Sequence, residues 1–592
     1  MMTLQELINR LTVSSLKELL DYLPGAEKVG RKEVLVSSML QHMAGAGWRK
    51  VWDQLDSCQR LAVGEAAHDA QGIFRSSRFV AKYGQWPLFE QPRPGDRFRS
   101  GTVMTPLCLF LYEVDGYMAL PHDLHAELKA FAPKPAPNVL SSHAAVPDAN
   151  DDAAPLTVRT TEAEALHDAV AMLRAVDQGL IAVSEKTRLP GLAAQRVVAG
   201  KLAGGDFYEL TAAQDQWEQV VGPIKALAWP MLVQADGMAQ LKGTKLTLTA
   251  AGRQALNMPP AEVVRGIWRN WLASSLHDEF SRIDNIKGQK GKGVRLTPIP
   301  PRRAAICQAL RHCPTAAWTE VDELMRFMQA EAYRLDICDA VENLYISDPQ
   351  YGSLMCGGWK SYDMVRLRYL LCVLFEYCAT LGVIDVAFQS PHGARSDYAD
   401  LWGADELTFL SRYDGLQAIR LTALGAYCLG LSDSYTPPVS AATCALSVQA
   451  DLTVNVSSGA LSAEEHLMLD NWASTEDSVA WRLDQQKTIA AIERGHDTGQ
   501  LAAFLQARDS QPLPSKVESF LRDCSKKGKA MKVLAQSVLI ECADPDTADL
   551  IAAHKDTARL CMRAGKQHLV VLQDRESAFR GAVRQLGYGI AL

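Results

Sequence analysis

The chain has 592 residues, 48% of them hydrophobic, and a formal net charge of −7 at pH 7. This length predicts roughly three to five domains, and the mildly acidic balance argues against a uniformly cationic nucleic-acid-binding surface while allowing local basic faces. The 13 cysteines form no CxxC pair, no signal-peptide pattern follows Met1 and no apolar window reaches ~20 residues, so we expect a reduced, cytoplasmic protein, free or nucleoid-associated, without membrane contact.

Residues 1–45 predict a small helical hairpin. The sequence Leu-Lys-Glu-Leu-Leu at 16–20 belongs to a capped, amphipathic first helix, and Gly-Arg-Lys-Glu-Val-Leu-Val at 30–36 opens the second. This pattern resembles the SAP motif, a DNA-binding helix-turn-helix hairpin. The resemblance implies that Lys17, Arg31 and Lys32 face phosphates. A plain helical hairpin with solvated charges is the alternative.

Residues 46–132 predict a second unit that ends in a β-hairpin. Two short strand patterns flank Asp115-Gly116, which is a strong turn signal. With the preceding helix at 62–70, this unit resembles a degenerate winged helix, a helical module that carries a two-stranded "wing". Residues 133–157 are rich in Pro, Ala, Ser, Asn and Asp without periodicity, and they predict a linker.

Residues 158–275 predict a winged-helix module. A helix with an apolar stripe is followed by a short strand at 181–183, a helix that opens at Leu189-Pro190 and an alternating strand at 245–248. Thr249 then caps a further helix. In such a module the segment 189–201 takes the place of the recognition helix, and 242–245 forms the wing tip. The candidate phosphate contacts are Arg188, Arg196, Lys201, Lys242 and Lys245.

Residues 276–300 predict a flexible loop rich in Gly and Lys. Its sequence at 286–295 is Ile-Lys-Gly-Gln-Lys-Gly-Lys-Gly-Val-Arg. It fails as a nucleotide-binding P-loop, because Gly293 follows Lys292 where a Ser or Thr has to hold magnesium. A solvated loop and a phosphate-contacting loop both stay open. The candidate contacts are Lys287, Lys290, Lys292 and Arg295.

Residues 301–437 predict a second winged-helix module with an enlarged wing. Its sequence Leu-Thr-Ala-Leu-Gly at 421–425 repeats Leu-Thr-Ala-Ala-Gly at 248–252, each after a short alternating strand. The Thr in both copies is expected to cap a helix. Aromatic residues in the segment 396–416 are expected to pack the long wing rather than to contact a ligand.

Residues 445–592 predict an α/β domain. Strands are expected at 446–456, 538–542 and 569–572, the last two of them buried, and a final short strand after Gly587-Tyr588. A helix is expected from Pro512 to Cys524, with Gly528 ending it. The candidate cations at its exit are Lys526, Lys527 and Lys529.

Four segments of this domain carry a resemblance: Val-Gln-Ala-Asp-Leu-Thr-Val (448–454), Pro-Leu-Pro-Ser-Lys-Val (512–517), Val-Leu-Ile-Glu-Cys-Ala-Asp-Pro (538–545) and Leu-Gly-Tyr (586–588). They resemble the helicase-associated domain at the N-terminus of XPB-type DNA helicases, which also occurs in stand-alone bacterial helicase-associated proteins. The resemblance implies a DNA-related accessory protein. The two ATPase lobes of those helicases cannot be located in the sequence, so a helicase or other ATPase acting in trans is the expected partner.

The sequence offers no motif for chemistry. His122 and His125 can share a helix face, but no third ligand follows at a fixed spacing, and we expect no metal, no cofactor and no ATPase, nuclease or hydrolase activity. A cryptic nuclease site stays open, since such sites assemble from distant residues.

The expected fold is mainly α with α+β parts: tandem winged-helix modules followed by a C-terminal α/β helicase-associated domain. The leading hypothesis is a DNA-binding accessory factor that acts on duplex DNA with a separately encoded helicase or translocase, in DNA repair, transcription or defence. The alternative is a protein–protein scaffold built from winged helices without nucleic-acid contact.

Overall fold

The structure is a computed structural model that describes residues 2–93, 101–147, 155–209, 219–346, 354, 359–401, 403–404, 407–438, 444–475, 480–531, 533 and 535–591. The chain divides into two units, and both mix helices with strands. The first unit comprises Met1–Thr443 with Leu461–Met468, and the second comprises Cys444–Ala460 with Leu469–Leu592. None of the described helices combines the length and apolar character that a membrane crossing requires.

The elements of the first unit follow in chain order. The helices are α1 (Leu4–Arg10), α2 (Val13–Leu20), α3 (Lys32–Met43), α4 (Gly47–Trp52), α5 (Ser57–His68), α6 (Ser76–Tyr83), α7 (His122–Phe131), α8 (Glu162–Asp177), α9 (Leu192–Ala199), α10 (Lys225–Ala235), α11 (Ala250–Ala255), α12 (Pro260–Ala273), α13 (Ile299–Leu310), α14 (Val321–Ala330), α15 (Trp359–Cys372) and α16 (Ala423–Leu429). The strands are β1 (Ile73–Phe74), β2 (Glu90–Pro92), β3 (Thr102–Met104), β4 (Tyr112–Val114), β5 (Tyr117–Ala119), β6 (Thr157–Arg159), β7 (Ala239–Lys242), β8 (Lys245–Leu248), β9 (Trp318–Glu320), β10 (Ile384–Phe388) and β11 (Leu416–Leu421).

Three parts of the first unit share one order of elements, helix, strand, helix, helix, strand, strand, except that β2 and β3 are inserted after α6 in the first of them. In each part the first strand pairs with the third, and the third pairs with the second. The three sets are α5, β1, α6, a 3₁₀ turn at Pro106–Leu109, β4 and β5; then α8, a bridge at Ala182, α9, α10, β7 and β8; then α13, β9, α14, α15, β10 and β11. In the third set β6 also pairs with β10, so β10 lies inside a four-stranded sheet.

The repeated Leu-Thr-Ala sequence gives the same local structure twice, as predicted. The side chain of Thr249 accepts a hydrogen bond from the N–H of Gly252 at 3.2 Å, and that of Thr422 accepts one from Gly425 at 2.8 Å. Each threonine hydroxyl also donates to the carbonyl of the glycine two residues before its hairpin, at 2.8 and 2.6 Å. One side chain therefore caps the helix and ties it to the start of the hairpin.

The N-terminal residues share one hydrophobic core, which extends from Leu4 to Ala132. The N–H of Leu4 donates to Asp123 Oδ1 at 2.8 Å, so the first helix is fastened to α7. The segment predicted as a linker is anchored at two points: the N–H of Ser141 donates to Glu323 Oε1 at 2.8 Å, and the N–H of His143 donates to the carbonyl of Trp318 at 2.7 Å. Residues 148–154 of that prediction lie outside the described residues.

The long segment between β10 and β11 is packed against the fold. Tyr398, Phe409 and Tyr413 are all buried, as expected for aromatic residues that fill an enlarged wing. Residues 402, 405 and 406 of this predicted wing lie outside the described part of the chain.

The second unit contains two antiparallel sheets, with strand orders β12-β13-β15-β14 and β16-β18-β17. The strands are β12 (Ala445–Val448), β13 (Thr453–Ser458), β14 (Ala473–Thr475), β15 (Ala480–Leu483), β16 (Ser537–Glu541), β17 (Cys561–Ala564) and β18 (His568–Leu572). The remaining helices of the chain are α17 (Ala463–Asp470), α18 (Gln485–Glu493), α19 (Thr498–Arg508), α20 (Ser515–Gly528), α21 (Pro545–Ala553) and α22 (Glu576–Gln585).

Three sequence expectations for this unit are wrong. The single strand predicted at 446–456 is the β12–β13 hairpin, with Leu452 at φ +74° in its turn. The strand predicted as buried at 538–542 is an edge strand, in which Leu539 keeps 64% of its surface. No strand follows Tyr588 in the described residues.

Candidate nucleic-acid interface

Two of the predicted cations, Lys242 and Lys245, lie at the tip of the β7–β8 hairpin, and a third, the half-buried Arg188, lies in a neighbouring turn. Lys242 and Lys245 lie directly opposite each other across the two strands, and both are exposed. The N–H of Val183 donates to the carbonyl of Thr244 at 3.0 Å, which brings the following turn, with Arg188, to the same end of the hairpin. Like charges directly opposite each other destabilise a hairpin, so this arrangement favours a bound anion.

The turn beside the hairpin tip has its own constraint. Arg188 adopts φ +63°, an uncommon conformation for a residue with a side chain, and its carbonyl accepts a hydrogen bond from Gln234 Nε2 at 3.1 Å. The same turn exposes Glu185 and Lys186. Lys186 is a cation that the sequence analysis left out, although its position next to a predicted wing was the available signal.

Arg196 and Lys201 belong to a different part of this repeat. Pro190, just before α9, bridges Val183 near the hairpin, whereas Arg196 lies late in α9 and Lys201 beyond its end. A helix of this length spans ~12 Å. Arg196 is exposed and Lys201 is half-buried, and they belong to α9 and the residues after it rather than to the hairpin.

The segment 189–201, expected to take the place of a recognition helix, contains α9, and α10 lies between it and the hairpin. Residues 225–233 of α10 are all buried. Lys225 Nζ lies 2.8 Å from Asp168 Oδ2 and 2.9 Å from Glu164 Oε2, so even its lysine is consumed by internal ion pairs. This helix cannot enter a DNA groove, and exposed cations of this repeat are found on the hairpin, its neighbouring turn and α9.

The Gly/Lys loop at 286–295 is anchored, not flexible as predicted. The N–H of Lys287 donates to the carbonyl of Tyr345 at 2.7 Å, and the N–H of Arg295 donates to Asp339 Oδ1 at 2.9 Å. Gln289 Nε2 donates to three backbone carbonyls within 3.2 Å. The four candidate cations all remain exposed on this fixed backbone: Lys287, Lys290, Lys292 and Arg295.

The N-terminal candidates divide by their contacts. Lys17 is exposed on the last turn of α2, and Arg31 is exposed at the N-cap of α3 without a capping bond from its side chain. Lys32 is half-buried, and its Nζ donates to the carbonyl of Asn9 at 2.7 Å. Lys32 therefore has a structural role at the end of α1, while Lys17 and Arg31 stay available.

The second unit carries its predicted cations at the C-terminal end of α20. Lys526, Lys527 and Lys529 are all exposed there. Cations in the last turn of a helix interact favourably with the helix dipole, by ~0.3–1 kcal/mol each. Their placement has a structural reason that does not require DNA.

A groove of about 620 Å³ lies between α12, the end of α13 and α16. Its floor is apolar, with Trp268, Leu272 and Leu429, and the Arg265 guanidinium lies 4.1 Å from the centre of the Tyr427 ring. The charged residues of its lining are Glu262, Arg265, Arg269 and Arg311. An apolar floor under an excess of arginines suits an acidic amphipathic segment better than a bare phosphate chain.

Buried ion pairs lie in and beside the third repeat, and no sequence pattern indicates them. Glu376 is fully buried and pairs with Arg282, whose Nη2 lies 3.0 Å from its Oε2, and the Tyr413 hydroxyl donates to the same oxygen. Glu279 pairs with Arg303, whose Nη2 lies 2.5 Å from Glu279 Oε1. Burial raises the pKa of Glu279 despite the nearby Arg303. Because these groups are enclosed by packed side chains, they are parts of the core and offer no substrate access.

The predicted histidine pair has an ordinary environment. His125 Nε2 lies 3.0 Å from the carbonyl oxygen of Ala67. Within the described part of the chain, no group of three or more His, Cys, Asp or Glu is placed to hold a metal ion.

The comparison with known families concerns a segment that lies mostly in the second unit. A family described as "Helicase conserved C-terminal domain" matches residues 446–566, about a fifth of the chain. The match starts in β12 and ends just after β17, so it leaves out β18, the central strand of the second sheet. No curated protein matches the chain. The family match makes this part of the chain helicase-related.

Proposed function

We propose that the protein is a DNA-binding accessory factor that acts with a separately encoded helicase or translocase, in DNA repair, transcription or defence. In this proposal the three repeats are winged helices, the N-terminal hairpin is SAP-like, and the second unit corresponds to the helicase-associated domain of XPB-type enzymes. The second unit docks the partner ATPase, and the chain itself has no catalytic activity. The helicase-family match at 446–566 and the strand order of the three repeats support this proposal.

The observation that carries the DNA-binding part is the opposed pair Lys242 and Lys245 at an exposed hairpin tip. Two lysines across a hairpin repel each other, and a duplex phosphate placed between them removes that repulsion. Arg188 beside the same tip and the fixed loop at 286–295 add further cations. With α10 buried, the expected contact is to the phosphate backbone, which gives affinity without strong sequence preference.

The test is duplex affinity measured by fluorescence anisotropy over a range of salt concentrations. Changing Lys242→Ala and Lys245→Ala together is expected to weaken binding equally for unrelated duplexes and to lower the slope of log K against log salt by about 2. The matched control is Lys129→Ala with Lys555→Ala, which removes the same charge from exposed positions outside the hairpin. Equal effects of the two variants, or no duplex binding by the wild type, would refute the proposal.

A second candidate function is protein docking without nucleic-acid contact, and the arginine-rimmed groove beside α12 favours it. The occupant expected from its chemistry is an amphipathic helix with an acidic flank. Arg265→Glu with Arg269→Glu is expected to abolish co-purification of a partner that survives nuclease treatment. Loss of all partners on nuclease treatment of the wild type would contradict this second function.

A further inference from the structure

A groove of about 480 Å³ in the first unit lies between α6, the β4–β5 hairpin and α14. Trp86 and Tyr117 line it and keep 54% and 61% of their surface exposed. Tyr362 is also exposed, and its ring lies 5.8 Å from the guanidinium of Arg366, which lines the same groove. Exposed aromatic rings from three separate segments thus lie in or beside one groove.

Arginines line the same groove. Arg78 Nε donates to the carbonyl of Ala330 at 2.7 Å, which holds its guanidinium at the groove. Arg334 lines the groove and is exposed. Arg366 is engaged by Asp336 and Asp363, at 2.7 and 3.2 Å. Arg75 also lines the groove, and its Nε lies 3.2 Å from Asp69 Oδ2. Among the lining arginines that the structure describes, Arg78 and Arg334 are therefore the ones without an ion pair and available to a ligand.

We propose that this groove binds a single strand of nucleic acid, with bases stacked on Trp86 and Tyr117 and phosphates beside Arg78 and Arg334. Base stacking on aromatic side chains and a cationic groove are the two parts of single-strand binding, and neither requires a particular sequence. A duplex cannot use the rings, because its bases are already stacked on each other.

This inference rests on the proposed function in expecting nucleic acid, but it adds a second ligand form at a site away from the β7–β8 hairpin residues. A proline-rich peptide could also lie on exposed aromatic rings. Such a peptide carries no phosphate for Arg334 to contact, so the Arg334→Ala variant separates the two ligands in the experiment.

The experiment measures binding of a fluorescent 12-nucleotide oligo(dT) and of a duplex to the full chain. Trp86→Ala and Tyr117→Ala are each expected to weaken single-strand binding by about tenfold, and Arg334→Ala to weaken it and reduce its salt dependence. Trp86→Phe keeps a ring and is expected to retain most of the affinity. The control Tyr588→Ala removes an exposed ring of the second unit and is expected to change nothing.

Intrinsic fluorescence gives an independent readout. Among the tryptophan side chains that the structure describes, Trp86 is the exposed one, so oligo(dT) is expected to quench emission in the wild type and not in Trp86→Phe.

Two results would overturn the inference in different ways. If the duplex binds but the Trp86, Tyr117 and Arg334 variants bind oligo(dT) like the wild type, the groove assignment is wrong and the proposed function stands. If the wild type binds neither oligonucleotide, both are wrong.

Discussion

Gly252 and Gly425, whose N–H groups bind the capping threonines in the two copies of the Leu-Thr-Ala sequence, allow a quantitative test of the repeated local structure. A Cβ atom added at Gly425 would lie 2.0 Å from the carbonyl oxygen of Val383, and one at Gly252 would lie 2.2 Å from that of Met238, whereas real Cβ atoms keep at least 3.0 Å. The start of α16 would have to move by 1.0 Å and that of α11 by 0.8 Å, as these distances require. In both repeats the helix would move away from the hairpin to which its threonine ties it.

The expected loss in the free energy of unfolding follows from these displacements. Overpacking costs ~1–3 kcal/mol and loss of the threonine cap ~1 kcal/mol, while Gly→Ala in a helix returns ~0.5–1 kcal/mol. Gly425→Ala and Gly252→Ala are thus each expected to lower the free energy of unfolding by about 1–3 kcal/mol. Gly266→Ala is the matched control, because its added Cβ meets no atom within 4 Å inside α12, and it is expected to be neutral or stabilising.

The assay is urea unfolding followed by circular dichroism and tryptophan fluorescence. The expected order of midpoints is Gly425→Ala lowest, then Gly252→Ala, then wild type, then Gly266→Ala. If both cap variants were as stable as Gly266→Ala, the close approach of helix and hairpin would be wrong in both repeats.

Three further expectations concern buried and half-buried groups of the first unit. Glu376→Gln leaves Arg282 buried without its counter-charge and is expected to cost about 3–5 kcal/mol, while a loss below about 1 kcal/mol in urea unfolding would contradict the burial of this pair. Burial lowers the pKa of His277 from 6.5. Below pH 6.5 the unfolded chain therefore binds more protons at this residue than the folded chain does, and stability is lost as the pH falls. His277→Gln is expected to reduce the change in melting temperature between pH 7 and 5.5, and a pH profile like that of the wild type would disprove it. Burial raises the pKa of Cys307 and Cys428 to about 12, so iodoacetamide at pH 8 is expected to label them at least ~100-fold more slowly in the native state than in urea, as peptide mass spectrometry would show.

The local structure of the repeats was accessible from the sequence because its causes are local. The alternating strand, Thr249 or Thr422 as cap and the helix that follows are determined by residues within one turn of each other. The β12–β13 hairpin was missed because alternation continues through its turn, where no glycine or proline marks Leu452 at φ +74°. Asp451 was the available signal for a turn, because its Oδ1 accepts a hydrogen bond from the N–H of Thr453 at 3.1 Å, as Asp side chains do in turns.

The burial of α10 and the buried ion pairs could not be predicted in the same way. Lys225 is compatible with the core because Asp168 and Glu164, far away in sequence, neutralise it, and Arg282 and Glu376 are 94 residues apart. A single sequence shows which residues are charged but not which ones meet. The groove with Trp86 and Tyr117 has the same origin, since its walls come from segments more than 200 residues apart.

The central claim is that DNA contacts the exposed cations of the first unit. Lysine acetylation with and without a bound duplex, quantified by peptide mass spectrometry, tests it most directly. Bound DNA is expected to protect five lysines of the hairpin tip and the anchored loop from acetylation: Lys242, Lys245, Lys287, Lys290 and Lys292. Lys129 is expected to stay reactive. Unchanged reactivity of these five with a saturating duplex, or protection confined to Lys526, Lys527 and Lys529, would contradict the account.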